Sequence, residues 1–349
     1  MTDNATPALA IRDLCLAYDG RTVLDRLTLD VRRGSITAVL GPSGGGKTTL
    51  LRVIAGFTRP ESGSVDIDGR RVTGDGVFVA PQDRNVGIVP QDGSLFPHLD
   101  VAANVAFGLP RRRSATARAR VAEMLELVGL PDAGRSMPSQ LSGGMQQRIA
   151  IARALAPSPA LLLLDEPFAA LDASLRDEVR EHVVDIIRVA GATTLWVTHD
   201  QDEALSTADE VAVLLGGRIA QSADPESLYR SPAARDVASF VGDSMVLEGT
   251  VSTAGDVART AMGEVRLTGR RDAGGIRVVL RPEQLEIVGA SVADATGTVV
   301  SRKFYGHDGT VVVRLAAGPE VSVRLHATLL PEVGAEVGVR VNGPVLAFD

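Results

Sequence analysis

Aromatic residues are scarce in this chain of 349 residues: Phe, Trp and Tyr together make 3%, with one Trp and three Tyr. That scarcity argues against an aromatic-rich binding module, and a hydrophobic content of 45%, mostly Ala, Val and Leu, suits α/β layers. Cysteine occurs once, as Cys15, which excludes an intrachain disulfide framework; the residue reads as small apolar packing in a cytosolic setting. Long apolar runs are missing too. The strongest, Leu161 to Leu164, stops at Asp165, far short of the roughly 20 residues a membrane span needs, so a membrane role is expected only through a partner. The opening MTDNATPALAIRD carries no basic-then-apolar signal. Positive charge is in deficit: 36 Lys and Arg against 43 Asp and Glu give −7, which argues against coating nucleic acid or binding a membrane by charge. Arg111, Arg112, Arg113, Arg118 and Arg120 form a basic group without interleaved aromatics and read as a solvated helix face.

What is present alternates. Leu9 to Val39 reads as strands with turns at Asp19-Gly20 and Arg33-Gly34. Ile36 to Leu40 is a short apolar strand running into a glycine loop, followed by a helix over Thr48 to Gly56. Val86 to Val89, Ala160 to Leu164 and Thr193 to Val197 read as buried strands, the last two flanking a helix over Ser174 to Ala190. Asp100 to Leu155 is helical in pattern. Strand, helix and strand in alternation predict a parallel sheet with a helical insertion. Past Gly242 short β-type runs separated by Gly and Pro predict a small barrel, with the boundary near Asp236 to Ser244.

Two turns in the chain suit phosphate. Gly41, four residues, then Gly46-Lys47-Thr48 satisfies the phosphate-loop pattern with a strand before and a helix after. Its glycines let backbone amides approach phosphate oxygens, Lys47 neutralises β/γ charge, and the Thr48 hydroxyl can ligate Mg2+. In LLLLDEP the strand ending in Asp165 delivers a carboxylate to the metal side of the sheet, and Glu166, facing elsewhere, can orient or deprotonate a water. His199 follows another buried strand, at the end where such sheets bind ligands; His98, His182, His307 and His326 have no such placement. The second turn is PSQLSGGMQQR, where Ser142 is a favoured N-cap and the exposed amides of a helix start attract anions.

These pieces in this order, over roughly residues 9 to 242, resemble the nucleotide-binding subunit of ATP-binding-cassette transporters. GPSGGGKTT (Gly41, Pro42, Ser43, Gly44, Gly45, Gly46, Lys47, Thr48, Thr49) is similar to the Walker A loop, LLLLDEP to Walker B and LSGGMQQR to the family signature. Gln91 matches the Q-loop, Ala170-Leu171-Asp172 the D-loop, His199 the switch histidine and Tyr18 the aromatic that stacks on adenine. The resemblance implies an ABC-type α/β P-loop NTPase over 1–240, with a helical subdomain at about 92–160. An all-β OB-like regulatory barrel is expected over 241–349.

It further implies a head-to-tail dimer in which ATP lies between one chain's Walker A and the other chain's Ser142, Gly143 and Gly144, with Asp172 along the seam. Glu166 would be the general base, Lys47 and His199 would contact the γ-phosphate, and Thr48, Gln91 and Asp165 would hold Mg2+. Met145 departs from the Gln usual in the signature. The phosphate contacts come from the Ser hydroxyl and backbone amides, so activity is expected to survive with modestly altered turnover.

The barrel tail resembles that of importers, implying integral membrane permease subunits as partners, a solute-binding protein indirectly, and a peripheral place on the cytoplasmic face of the membrane. GIVPQDGSLFPHLDVAANVAFGL (Gly87 to Leu109), LRPEQ (Leu280 to Gln284) and GPVLAF (Gly343 to Phe348) look most like ferric-iron importers. Importers of sulfate, phosphonate, polyamine or sugar stay open. So do a soluble cassette ATPase acting on ribosomes or DNA, and a tail that senses a small molecule.

Overall fold

The computed structural model describes residues 6–91, 95–169 and 173–349, the side chains of 173–175 excepted. The strands Ile36–Leu40, Leu161–Asp165 and Thr194–Thr198 are almost wholly buried, which is why they read as unbroken apolar runs. They sit in a six-stranded sheet ordered 218–223, 210–215, 36–40, 194–198, 161–165, 86–89. All neighbours are parallel except the edge pair Glu210–Leu215 with Arg218–Ala223. The carboxyl ends of Ile36–Leu40, Thr194–Thr198, Leu161–Asp165 and Val86–Val89 therefore lie side by side. Gly41, His199, Glu166 and Gln91 follow those four ends directly or within two residues.

A second, antiparallel sheet is built from Leu9–Tyr18, Arg21–Val31, Ser62–Ile67, Arg70–Gly74 and Val77–Phe78. It shares one core with the parallel sheet, including Leu14, Leu27, Val65, Leu50, Ile54, Leu163 and Val197. Ser62–Ile67 and Arg70–Gly74 carry little apolar signal of their own, since among them only Val65, Ile67 and Val72 are buried hydrophobics. The insertion holds the helices Val101–Val105, Ala115–Leu127 and Gly143–Leu155, joined by short 3-10 turns. Asp100 and Ser114 cap the first two, accepting from Ala103 N at 2.7 Å and Ala117 N at 3.1 Å.

The chain divides into two compact units, Met1–Leu228 and Tyr229–Asp349. The sequence pattern put the boundary near Asp236 to Ser244. The connector goes instead with the second unit, because the Arg281 guanidinium lies 3.9 Å over the Tyr229 ring and the Tyr229 hydroxyl bonds to Glu283. After the short helix Arg235–Val241, that unit builds two five-stranded antiparallel sheets around a common core of residues such as Leu247, Val278, Leu280, Val311, Val323 and Val339, an OB-like β architecture. EVSVRL and EVGVRV are strands of the same sheet. Among the described residues no helix is long and apolar enough to cross a membrane.

Candidate nucleotide site

The glycine loop is shaped by contacts no side chain would allow. Gly41 N donates to Thr198 O at 3.3 Å, and a Cβ on Gly41 would stand 2.8 Å from Leu214 O. Gly46 caps the helix Lys47–Ala55 with φ +101°, a conformation that L side chains rarely adopt. Lys47, the first helical residue, is 4% exposed. Its Nζ donates to Gly41 O (2.9 Å) and Pro42 O (3.1 Å) and stands 3.7 Å from Glu166 Oε1. Burial pulls the ammonium below its ordinary pKa, while Glu166 and Asp165 oppose the shift. Thr48 Oγ1 donates to Asp165 Oδ1 at 3.2 Å, and burial pushes that carboxyl above the usual range.

Asp165 and Glu166 part company at a backbone kink. Glu166 has φ +43°, in the left-handed region, and is held there by its N–H to Val197 O (3.0 Å) and by Ala169 N donating to its carbonyl (3.1 Å). Asp165 thus meets Thr48, while Glu166 meets Lys47 on one oxygen and His199 Nδ1 at 3.0 Å on the other. Two residues on, Phe168 packs against Trp196, ring centres 5.1 Å apart and tilted 60°. The fold therefore brings together Lys47, Thr48, Asp165, Glu166 and His199, five residues spread over more than 150 positions of sequence.

Other residues stand around this cluster. Gln91 is exposed just beyond the strand Val86–Val89, which pairs with the strand of Asp165. Tyr18 ends its strand opposite Arg21, 46% exposed. That hairpin end leans on the phosphate loop, where Val23 O would meet a Cβ on Gly46 at 3.0 Å. Asp172, with Ala170 and Leu171, lies outside the described residues. Ser142 caps the 13-residue helix Gly143–Leu155, its Oγ accepting from Met145 N at 3.3 Å. That bond uses only the backbone N–H of position 145, so either Met or Gln there preserves it. Among the described residues no hydrogen bond or ion pair joins this signature turn to the Lys47–Glu166–His199 cluster.

The structure adds two residues that the sequence pattern does not single out. Thr198 and Glu203 bracket His199, and Thr198 Oγ1 donates to Glu203 Oε2. Burial pushes the Glu203 carboxyl up, against the Thr198 bond and the charges of Arg180 and Arg176. The available signal was the spacing in THDQDE, a hydroxyl and a carboxylate either side of the histidine, which only the strand-to-helix turn makes neighbours.

The ABC transporter family pattern matches residues 24–169 and the TOBE domain pattern residues 278–346. The Fe(3+) ions import ATP-binding protein FbpC 2 of Rhodococcus jostii (strain RHA1) is 47% identical, across 99% of both chains. The protein of the same name in Pectobacterium atrosepticum is 40% identical over 98% of this chain and 99% of its own length. The Sulfate/thiosulfate import ATP-binding protein CysA 2 of Chromobacterium violaceum is 46% identical over 89% of this chain and 84% of its own. Among solved structures, cbiO1 from Clostridium perfringens, part of the ABC transporter complex cbiONQ, superposes with a TM-score of 0.59 at 30% identity. It covers 65% of this chain and 92% of that one.

Proposed function

Because the chain belongs to the ATP-binding-cassette transporter ATPases that carry a TOBE domain, we propose that it is the nucleotide-binding subunit of a ferric-iron importer. The observation that carries the chemistry is the convergence of Lys47, Thr48, Asp165, Glu166 and His199 at the carboxyl ends of adjacent parallel strands. ATP is the substrate, hydrolysed to ADP and phosphate.

The lining fits a metal as well as a triphosphate. Thr48 and Asp165 present two hard oxygens 3.2 Å apart, of the kind Mg2+ takes when it keeps few protein ligands, and Gln91 would add a third. Bound there, Mg2+ would supply charge neutralisation to the triphosphate. The amides of residues 41–49 cradle phosphate oxygens at a helix start. Lys47 has three donor hydrogens, so its ammonium can turn from the loop carbonyls to the γ-phosphate. Glu166 accepts the proton of the attacking water, and the bond from His199 aims that carboxylate while the imidazole faces the transferred group. Tyr18 stacks on the adenine.

A second copy of the chain completes the site. Ser142, Gly143 and Gly144 form an anion-attracting helix start that lacks any bond to the chain's own phosphate loop, and two-fold pairing would bring it to the partner's nucleotide. Asp172 would line that seam. Permease subunits hold the dimer at the cytoplasmic face of the membrane, a solute-binding protein delivers the cargo, and the OB-like unit serves dimerisation and regulation.

Relatives named for Fe(3+) import at 46–47% identity over nearly the whole chain support iron, and the sulfate/thiosulfate relative keeps sulfate as the second reading. Deleting the gene and following uptake of radiolabelled ferric iron, sulfate and a polyamine separates them. Loss of iron uptake alone is expected; unchanged iron uptake removes this cargo.

A further inference from the structure

One buried ionisable group beside the site has no part in the chemistry above. Glu203, in the first turn of the helix Gln201–Thr207, is 4% exposed, and carboxylates are almost never buried so deeply without a task or a partner. Its Oε2 accepts from the hydroxyl of Thr198, the last residue of the strand that delivers His199. The same Thr198 oxygen accepts from Asp200 N at 2.9 Å, and Asp200 Oδ1 accepts from Glu203 N at 3.1 Å. These three bonds close a ring through residues 198, 200 and 203, and His199 is the chain link between the first two. The carbonyl of Thr198 takes the amide of Gly41 at 3.3 Å, tying the ring to the phosphate loop.

Capping does not explain the carboxylate. Asp200 already caps the helix, and an apolar side chain would fill the position of Glu203 at lower desolvation cost. The histidine has the matching need. Its side chain is 52% exposed and held by one contact, to Glu166, so its aim depends on that contact and on the backbone it leaves. Glu203 also lines, with Glu166, Phe168, Thr198 and His199, one small cavity beside the cluster.

We propose that Glu203 is the positioning residue of His199: through the Thr198 hydroxyl it fixes the strand-to-helix turn from which the imidazole reaches the γ-phosphate, without touching substrate itself. The proposal rests on the reading of His199 as the γ-phosphate contact. A residue acting only through another loses its effect once that other is gone, whereas a residue that merely stabilises the fold does not.

The test is a double-mutant cycle on the full-length protein, reading kcat and KM for ATP, nucleotide affinity and the unfolding midpoint. Glu203→Ala and Thr198→Val are expected to lower kcat about tenfold or more, as small misplacements of catalytic groups do, with KM for ATP within about twofold. Glu203→Gln, which keeps an acceptor for Thr198, is expected within about threefold of the parent. In the His199→Ala background neither Glu203→Ala nor Thr198→Val should slow the enzyme further. Full additivity in that background overturns the proposal, as does a Glu203→Gln as slow as Glu203→Ala. Parental kcat in Glu203→Ala with an inactive His199→Ala overturns the positioning role alone. Parental kcat in His199→Ala overturns the histidine assignment and this role with it. If Glu203→Ala does not fold, the Thr198→Val arm completes the cycle.

Discussion

Glu166 holds its carboxylate in place from a backbone conformation that costs a non-glycine residue about 1–2 kcal/mol. The bonds to Val197 O and from Ala169 N keep it there, and the kink is what lets two consecutive carboxylates meet different partners. Glutamine has the same shape and tolerates the same turn, so Glu166→Gln tests the chemistry rather than the fold. That variant is expected to bind ATP normally, to lose about a hundredfold or more in turnover, and to accumulate as an ATP-bound dimer. Phosphate-release assays and size-exclusion chromatography with ATP check both halves, and turnover at the parental rate sinks the general-base assignment. Lys47, Asp165 and Glu166 could be named from sequence because each belongs to a short run with a fixed neighbour: glycines before the lysine, an apolar strand before the acids. Glu203 could not, since its partner Thr198 is a neighbour only once the chain has turned.

The phosphate-loop helix is gripped at both ends. At its start Gly46 and Lys47 present amides; at its finish Arg84, 2% exposed, donates to Val53 O and Ile54 O, both at 2.9 Å. The same guanidinium reaches the Thr73 hydroxyl in the antiparallel sheet and Val79 O just beyond its last strand. Burial draws its pKa down to about 10, so it stays a cation at neutral pH, with the carbonyl end of the helix dipole as its counter-charge. Gly56 is glycine because a Cβ there would run into that side chain and because its φ is +88°. Arg84→Met leaves those carbonyls unpaired and is expected to destabilise the N-terminal unit by about 3 kcal/mol, with Arg84→Lys recovering part of it; thermal or urea unfolding measures this. A midpoint unchanged in Arg84→Met would mean that the carbonyls find other partners. In sequence Arg84 is one polar residue in APQDRN, indistinguishable from the solvated arginines of the RRR run. Ile36–Leu40, Leu161–Asp165 and Thr194–Thr198 were readable because they are buried on both faces. Ser62–Ile67 and Arg70–Gly74 were not, because their residues alternate weakly between a thin core and solvent.

At the scale of the whole molecule, the proposed dimer gives each of the two phosphate-loop-like turns half of what a reaction needs, and that division can be tested. With the nucleotide bound by one chain's Lys47 and closed by the other chain's Ser142, Lys47→Ala and Ser142→Ala each inactivate a homodimer. A mixed dimer of the two variants has one site carrying both lesions and one carrying neither. Mixing the inactive preparations in equal amounts and allowing exchange is therefore expected to restore roughly a quarter of the parental ATPase sites, by random pairing in two-fold dimers. No recovery after exchange, shown complete by differently tagged chains, would mean that the signature acts within its own chain. The split between the two units was legible as a change of texture, helical periodicity giving way to short β runs. Its position was not: residues 229–241 look like the end of the cassette, and only their tertiary contacts, such as the stacking of Arg281 on Tyr229 and the bond of Tyr229 to Glu283, assign them to the second unit.

The lone tryptophan makes the protein its own optical reporter. Trp196 is 1% exposed and touches the ring of Phe168, two positions beyond the kinked glutamate. An indole sealed in apolar surroundings emits to the blue of one in water, and its intensity depends on the atoms against it. Every photon excited from tryptophan comes from this one position, so the wavelength and brightness of the emission follow the turn that carries Glu166. Stopped-flow mixing with ATP therefore tests whether that turn moves and times it if it does, with no dye attached and no background indole to subtract.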